Sequence, residues 1–220
     1  IVQPDGSVVT PIELIERIEQ HPVKLAAVIR AMLVSIDRHI KPLFDLYPHF
    51  YVSVNMPPPV IGKGHVMDMV QELMFGPYLN RIVCELTERQ ALSEAGRSSL
   101  EIVRNMGIRI AIDDFGTGNS GLTQIAGLDL DILKIDRSLI LNVLTSRVSA
   151  RLLRGIVALA ESLHVRTVVE GVEKWDHAFF MQAVGVDYGQ GWFWSKALPP
   201  EQVGAALKNG FPRPATPPRT

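Results

Sequence analysis

The chain is poor in the features that mark several large protein classes. It has a single cysteine, Cys84, in 220 residues. No internal disulfide framework can form, and a reducing compartment suits such a chain. Lys and Arg number 22 against 23 Asp and Glu, a formal net charge of −1. There is thus no basic field to recruit a nucleic-acid polymer or an anionic membrane surface. A phosphate-bearing small ligand stays open, because a metal ion or a few cations can hold it. No apolar run reaches the length of a membrane span, and no secretory signal is visible. Low-complexity blocks and runs of like charge are missing too. The first residue is Ile1 rather than Met, and the opening Ile1-Val2-Gln3-Pro4-Asp5-Gly6 reads as mid-pattern, which suggests sequence upstream.

What is present suits a globular domain. Hydrophobic residues make up 47% and charged residues 20%, enough for one sizeable core. The expected domain covers residues 1–210, with a proline-rich, extended tail over 211–220. Short apolar, β-branched runs recur at Phe50–Val54, Arg81–Cys84, Ile108–Ile112, Ile132–Ile135, Arg166–Val169 and, more weakly, Val186–Tyr188. Helical stretches lie between them. Thr10-Pro11-Ile12-Glu13 has the N-cap, first-turn proline and capping-box glutamate of a helix start. Further helices are predicted over Val23–His39 and Val148–Leu163, the second with Leu152, Leu153, Ile156 and Leu159 on one side. Alternating strands and helices imply βαβ units and a parallel sheet, and nearly all-apolar strands fit a sheet covered on both faces.

The polar residues fall where these strands stop. Asn55, Glu85, Asp113 with Asp114, Lys134, Glu170 and Gln190 each follow one apolar run. A TIM-type (β/α)8 barrel repeats every ~30 residues and places its site at the C-terminal strand ends. A doubly wound open sheet is the rival, but it gathers its site at one switch point. Three or more carboxylates in one ring repel unless a cation neutralises them. All-oxygen donors suit Mg²⁺ or Mn²⁺ better than zinc. Adjacent aspartates can serve two ions: alternation along a strand turns Asp113 toward the barrel axis and Asp114 into the loop. Two such ions favour in-line attack of water on a phosphodiester, with Lys134 and Glu170 to orient or deprotonate the water and Gln190 to hold it. Each residue also has a plain structural reading. Asn55 suits a turn, Glu85 and Glu88 a helix cap, the aspartate pair an N-cap, and Lys134 with Asp136 a surface ion pair. Those readings together leave the polar residue at every strand end unexplained.

The same residues resemble a known family. Val52-Ser53-Val54-Asn55, Glu85-Leu86-Thr87-Glu88, Ile112-Asp113-Asp114-Phe115-Gly116-Thr117-Gly118-Asn119-Ser120, Leu133-Lys134-Ile135-Asp136-Arg137-Ser138, Val169-Glu170-Gly171-Val172-Glu173 and Gly189-Gln190-Gly191 occur in order. They are similar to the motifs of the EAL domain, a bacterial phosphodiesterase that opens cyclic di-GMP to linear pGpG. The resemblance implies that Asn55, Glu85 and Asp113 bind a first Mg²⁺ or Mn²⁺ and Asp114 a second, with Ca²⁺ inhibitory. It implies Lys134 and Gln190 near the attacking water and phosphate, Glu170 as base or water-orienting carboxylate, and Asp136 and Glu173 as support. Phe115, Gly116, Thr117 and Gly118 begin a mobile loop held by Glu88 and coupled to homodimer formation.

Departures accompany the likeness. The family's Glu-Ala-Leu motif and its Arg are not in the chain, and alignment of Pro4-Asp5-Gly6 puts that Glu just upstream of Ile1. Six strands are read where a barrel has eight, so the first two are expected upstream of residue 1. Met56-Pro57-Pro58-Pro59 stiffens the segment after Asn55, where the family usually has a Ser, and Asn119 replaces the commoner Tyr. The resemblance also implies a cytoplasmic domain behind a sensory domain or inner-membrane anchor. The alternative is a catalytically inactive cyclic di-GMP receptor or interaction module. A Mg²⁺ barrel enzyme of the enolate-forming type, with Lys134 as base, does not call for paired aspartates before Phe-Gly-Thr-Gly.

Overall fold

The computed structural model describes residues 11–18, 21–62, 64–116 and 127–213. The Thr10 cap, Thr117, Gly118 and the end of the proline-rich tail lie outside them. Among the described residues six strands form one sheet: β1 (Val52–Asn55), β2 (Ile82–Thr87), β3 (Arg109–Phe115), β4 (Ile132–Ile135), β5 (Arg166–Val169) and β6 (Tyr188–Gly189). Every neighbouring pair is parallel, and spatial order equals chain order. A sheet wound in one direction has no switch point, which removes the doubly wound alternative. The sheet is also curled. Tyr51, next to β1, meets Tyr188 of β6 edge to face at 6.0 Å between ring centroids. A flat sheet would hold strands five places apart ~24 Å from each other. The architecture is a partial TIM-like (β/α) barrel.

Strand alternation divides the core in two. Ile82, Cys84 and Leu86 of β2, Ile110 and Ile112 of β3, and Leu133 and Ile135 of β4 belong to the large cluster shared with the helices. The intervening Val83, Ala111, Ile132 and Val168 form a separate small cluster under Tyr51. These are the outer and inner faces of the sheet, both dry, which is why the strands read as unbroken apolar runs. Among the described helices, α1 (Pro11–Ile18), α2 (Pro22–His39), α3 (Leu43–Leu46), α4 (Pro58–Ile61) and α5 (His65–Glu72) flank β1. Then come α6 (Glu88–Leu92), α7 (Glu94–Asn105), α8 (Arg147–Ser162), α9 (Trp175–Val184) and α10 (Val203–Asn209).

Several predicted boundaries move. Strands β2 and β3 run on to Thr87 and Phe115, so Glu85, Asp113 and Asp114 lie inside strands rather than after them. Strand β1 starts two residues later than read and includes Asn55, and β6 is Tyr188–Gly189. The helix after β2 is capped by Thr87, whose side chain accepts from Gln90 N while its own N–H donates to Gln90 Oε1. Glu85 is therefore not its cap. On α8 the buried face is Leu153, Ile156, Val157 and Ala160, whereas Leu152 is 48% exposed. The buried stripe centres on Leu153 and Ala160, and Leu152 falls about 100° to one side of that line, beyond the edge of the stripe.

Two aspartates lock the opposite, N-terminal ends of the strands. Asp131 accepts from Ile110 N at 2.8 Å and from Arg104 at 3.1 Å. Asp187 accepts from Thr167 N at 2.9 Å, from the Thr167 hydroxyl at 3.0 Å, and from Arg166. Burial alone would raise the Asp187 carboxyl, but these donors outweigh it and hold the group below its usual range. A depressed carboxyl stabilises the fold above its unfolded pKa, and that stability is lost as pH falls through the lower folded value. Asp187→Ala is expected to cost about 1–2 kcal/mol at pH 7 in urea unfolding. The gap should begin to narrow below about pH 4, the unfolded value, and close only once pH has fallen through the lower folded value.

Candidate active site

Each strand brings one of the predicted polar residues to the inner face, toward its C-terminal end or one residue beyond it, above the apolar floor. Val83 is followed two residues on by Glu85, Ala111 by Asp113, Ile132 by Lys134 and Val168 by Glu170. Ser53 precedes Asn55, and Tyr188 precedes Gln190, in the same way. Period-two alternation brings all six to one place. Asn55, Glu85, Asp113, Lys134, Glu170 and Gln190 line a single cavity of about 600 Å³. The register sets Asn55 directly beside Glu85. Gln190 is fixed through its backbone, since its N–H donates to Val169 O at 2.8 Å and its carbonyl accepts from Val172 N at 3.0 Å. A side chain at Gly191 would lie 2.1 Å from Val172 O, so only glycine permits this approach.

Lys134 is the hub. It is 5% exposed, and its Nζ lies 2.8 Å from Glu85 Oε2, 2.9 Å from Asp113 Oδ1 and 2.6 Å from Glu170 Oε1. Burial pulls its pKa down, but Glu85, Glu170 and Asp113 outweigh that and raise it well above the ordinary value. The surface pair with Asp136 suggested by sequence spacing is not formed. Asp136 instead accepts from Ser138 N at 2.8 Å. Glu170 is pushed up mainly by burial, against the Lys134 contact that lowers it, with Asp113 and Glu85 adding to the rise.

Asp113 and Asp114 do not diverge as simple alternation predicts. The β3–β4 register shifts between Ile112 and Phe115, and Asp114 has φ +57°. This bulge with a left-handed residue turns both aspartates to one side, and one ligand oxygen each from Asp113, Asp114 and Glu170 fall within 4.8 Å of one another. Burial, then the charges of Asp113 and Asp136, raise the Asp114 carboxyl, while Lys134 opposes the rise. Aspartate is one of the few non-glycine residues that adopt this conformation readily; most others would pay of order 1 kcal/mol or more. The donor set is all oxygen, concentrated in charge and held by strand backbone, and it fits hard divalent cations of the Mg²⁺ or Mn²⁺ type.

Two neighbours frame the start of the loop. Phe115 is buried, and Gly116 has φ +100° with Leu139 packed where a side chain would stand. Glu88, at the start of α6, is 4% exposed, yet neither carboxylate oxygen has a hydrogen-bond partner among the described residues. Glu173 is exposed beyond β5. Sequence reading missed Ser53 and Tyr51, which line the same cavity, and Arg109, whose guanidinium lies over the Tyr51 ring at 4.5 Å. Counting back by two from Asn55 and Asp113 along their strands would have found them.

Fold and site together define a (β/α)-barrel protein with an acidic, cation-receptive mouth. The family model for the EAL domain matches residues 1–197. The chain belongs to the EAL domain family. It is 32% identical over 206 residues to the probable cyclic di-GMP phosphodiesterase PdeB of Escherichia coli K12, covering 90% of this chain and 38% of that protein. It is 33% identical over 152 residues to the cyclic di-GMP phosphodiesterase NbdA of Pseudomonas aeruginosa, covering 67% and 19%. The chain thus spans less than two fifths of the curated relatives it matches. Among solved structures, the PaMucR phosphodiesterase–c-di-GMP complex superposes with a TM-score of 0.80 at 27% identity, covering 92% of this chain and 83% of that one. The manganese/cy-diGMP complex of Klebsiella pneumoniae BlrP1 at pH 6 gives 0.75 at 25% identity, covering 88% and 49%.

Proposed function

We propose that this chain is the phosphodiesterase domain of a metal-dependent enzyme that hydrolyses cyclic di-GMP to linear pGpG. The observation that carries the reading is the convergence of Asp113, Asp114 and Glu170 around Lys134 at a barrel mouth, in a chain of the EAL domain family. Asn55, Glu85 and Asp113 would hold one divalent ion and Asp114 the other. Ions held there would supply Lewis acidity toward the phosphodiester and its attacking water. Water adds to one phosphorus, the ester bond to the 3′ oxygen breaks, that oxygen leaves as a hydroxyl with a proton taken from solvent, and the macrocycle opens. Glu170 takes the water's proton, a task helped by a carboxyl already pushed upward. Lys134 faces the phosphate charge, Gln190 positions the water, and Asp136 and Glu173 support the second ion. Glu88 holds the loop that begins at Phe115.

The test is incubation of the full-length protein with cyclic di-GMP and Mg²⁺ or Mn²⁺, with product read by chromatography. Formation of pGpG is expected, and Ca²⁺ should suppress it because its longer, looser coordination misplaces the water. Binding without turnover would favour the receptor reading. Rapid turnover in Ca²⁺ would contradict the two-ion assignment.

The active form is proposed to be a homodimer. Val148 and Leu152 are exposed one turn apart on α8, and Leu141 and Leu144 are exposed in the turns that lead into it, so the apolar stripe offered for pairing is the Val148 and Leu152 face. A second copy of the stripe is the partner, as expected for an isologous two-fold contact. Light scattering should give twice the chain mass, and Val148→Glu with Leu152→Glu should give the monomer. A monomeric wild type would refute this. The proposal also places the domain in the cytoplasm, within a longer protein carrying a sensory or membrane-anchoring part. Among the described residues no helix is long and apolar enough to cross a membrane.

A further inference from the structure

All three tryptophans of the chain fall near the C-terminal rim of the barrel, at positions 175, 192 and 194. Two are explained by packing. Trp175 stacks on Phe179 with ring centroids 4.9 Å apart. Trp194 meets Phe193 edge to face at 5.1 Å and covers Gly189, where an added side chain would strike its ring at 2.2 Å. Trp192 is explained by nothing of the kind. It is 64% exposed, more than any other large aromatic side chain among the described residues.

Its place is not accidental. Trp192 stands two residues beyond Gln190, which lines the cavity. The turn that carries it is rigid. Phe193 N donates to Val172 O at 3.0 Å and Trp194 N to Gly191 O at 3.1 Å, and Gly191 is wedged against the Val172 backbone. The Lys196 ammonium lies 5.3 Å from the Trp192 ring centroid. That cation stands over the ring, and the residue's 64% exposure leaves indole surface for a flat ligand. An exposed indole at a fixed rim position, with a cation behind it, has the chemistry of a stacking platform for a nucleobase.

We infer that Trp192 is a substrate-positioning residue that stacks one purine base of the cyclic dinucleotide while its phosphodiester sits over Lys134 and the carboxylates. This rests on the phosphodiesterase reading of the same site and adds the residue that grips the base. Stacking on the rim acts equally in the ground and transition states, so its loss should weaken binding and leave the chemical step alone.

The experiment uses the full-length protein, cyclic di-GMP and two variants, Trp192→Ala and Trp192→Phe. Affinity is titrated with Ca²⁺ present, and steady-state kinetics are run with Mn²⁺. Trp192→Ala should raise Kd and KM about 5- to 150-fold with kcat nearly unchanged. Trp192→Phe should recover most of the affinity. Quenching of tryptophan emission by the ligand should be large in wild type and largely lost in Trp192→Phe. Equal melting temperatures exclude misfolding as the cause. Wild-type affinity in Trp192→Ala, or undiminished quenching in Trp192→Phe, overturns the inference. If wild type makes no pGpG yet binds with Trp192-dependent quenching, the enzymatic reading fails and the platform stands.

Discussion

Replacing Lys134 with Met should produce the largest change in stability of any single substitution in the barrel mouth, and a divalent cation should reverse most of it. The Lys134 ammonium is the positive charge within 2.9 Å of Glu85, Asp113 and Glu170. Removing one partner of a buried ion pair typically costs about 3–5 kcal/mol, because the remaining charge is left without compensation. Here three carboxylates lose one counter-charge together. In EDTA at pH 8 the variant should therefore melt far below wild type. Part of the loss should return as pH falls. The Glu170 carboxyl is already raised by burial, and Lys134 is the group that holds it down. Without Lys134 its folded pKa rises further. A group whose folded pKa lies above its unfolded value destabilises at high pH and relaxes as pH drops through the folded value. Mg²⁺ or Mn²⁺ should restore melting near wild type by supplying the missing charge, while turnover stays down by about a hundredfold or more for loss of a preorganised cation. Equal melting of both proteins in EDTA would show that Lys134 does not neutralise the cluster.

Much of this arrangement is legible in the sequence, and the gaps have physical reasons. Strands β4 and β5 come out with their observed limits because Ile132–Ile135 and Arg166–Val169 are short β-branched runs with clear breaks. Strands β2 and β3 are read too short because the apolar pattern breaks at the first inward charge. The hydrogen-bonded ladder does not break there: Thr87 still pairs with Asp113, and Phe115 with Ile135. Inner-face polarity at a barrel mouth is thus mistaken for a strand end. The ring of Asn55, Glu85, Asp113, Lys134, Glu170 and Gln190 is legible because one polar residue per βα unit is a periodic signal. The convergence of Asp113 and Asp114 is not, since a bulge depends on the partner strand's register. The buried setting of Lys134 is equally hidden, because its three partners come from β2, β3 and the residue just after β5. Trp192 carries no periodic mark; only its exposure beside two packed aromatics sets it apart.

That bulge leads to the second large expected effect. Asp114→Asn should abolish most of the activity and cost no stability, whereas Asp114→Ala should cost both. Position 114 makes two separate demands. Its backbone, at φ +57°, favours Gly, Asn or Asp and penalises a residue such as Ala by of order 1 kcal/mol. Its carboxylate stands in a cluster with Asp113 and Glu170, where burial and the charges of Asp113 and Asp136 oppose its ionisation. Asparagine satisfies the backbone and removes the opposed charge. In EDTA the Asn variant should then melt at or above wild type, and the Ala variant below both. With Mn²⁺ the order should change, because wild type gains stability from ion binding in proportion to RT ln(1 + [L]/Kd) and the variants gain less. Turnover of cyclic di-GMP should fall by on the order of a hundredfold or more in both variants, since an ion's share of the transition state is worth several kcal/mol. Binding measured with Ca²⁺ should change far less, because the remaining carboxylates, Lys134 and Gln190 still line the cavity. Full activity in the Asn variant would refute the proposed metal role of Asp114. An Asn variant less stable than the Ala variant would instead show that the left-handed backbone at this position is not what limits the residue there.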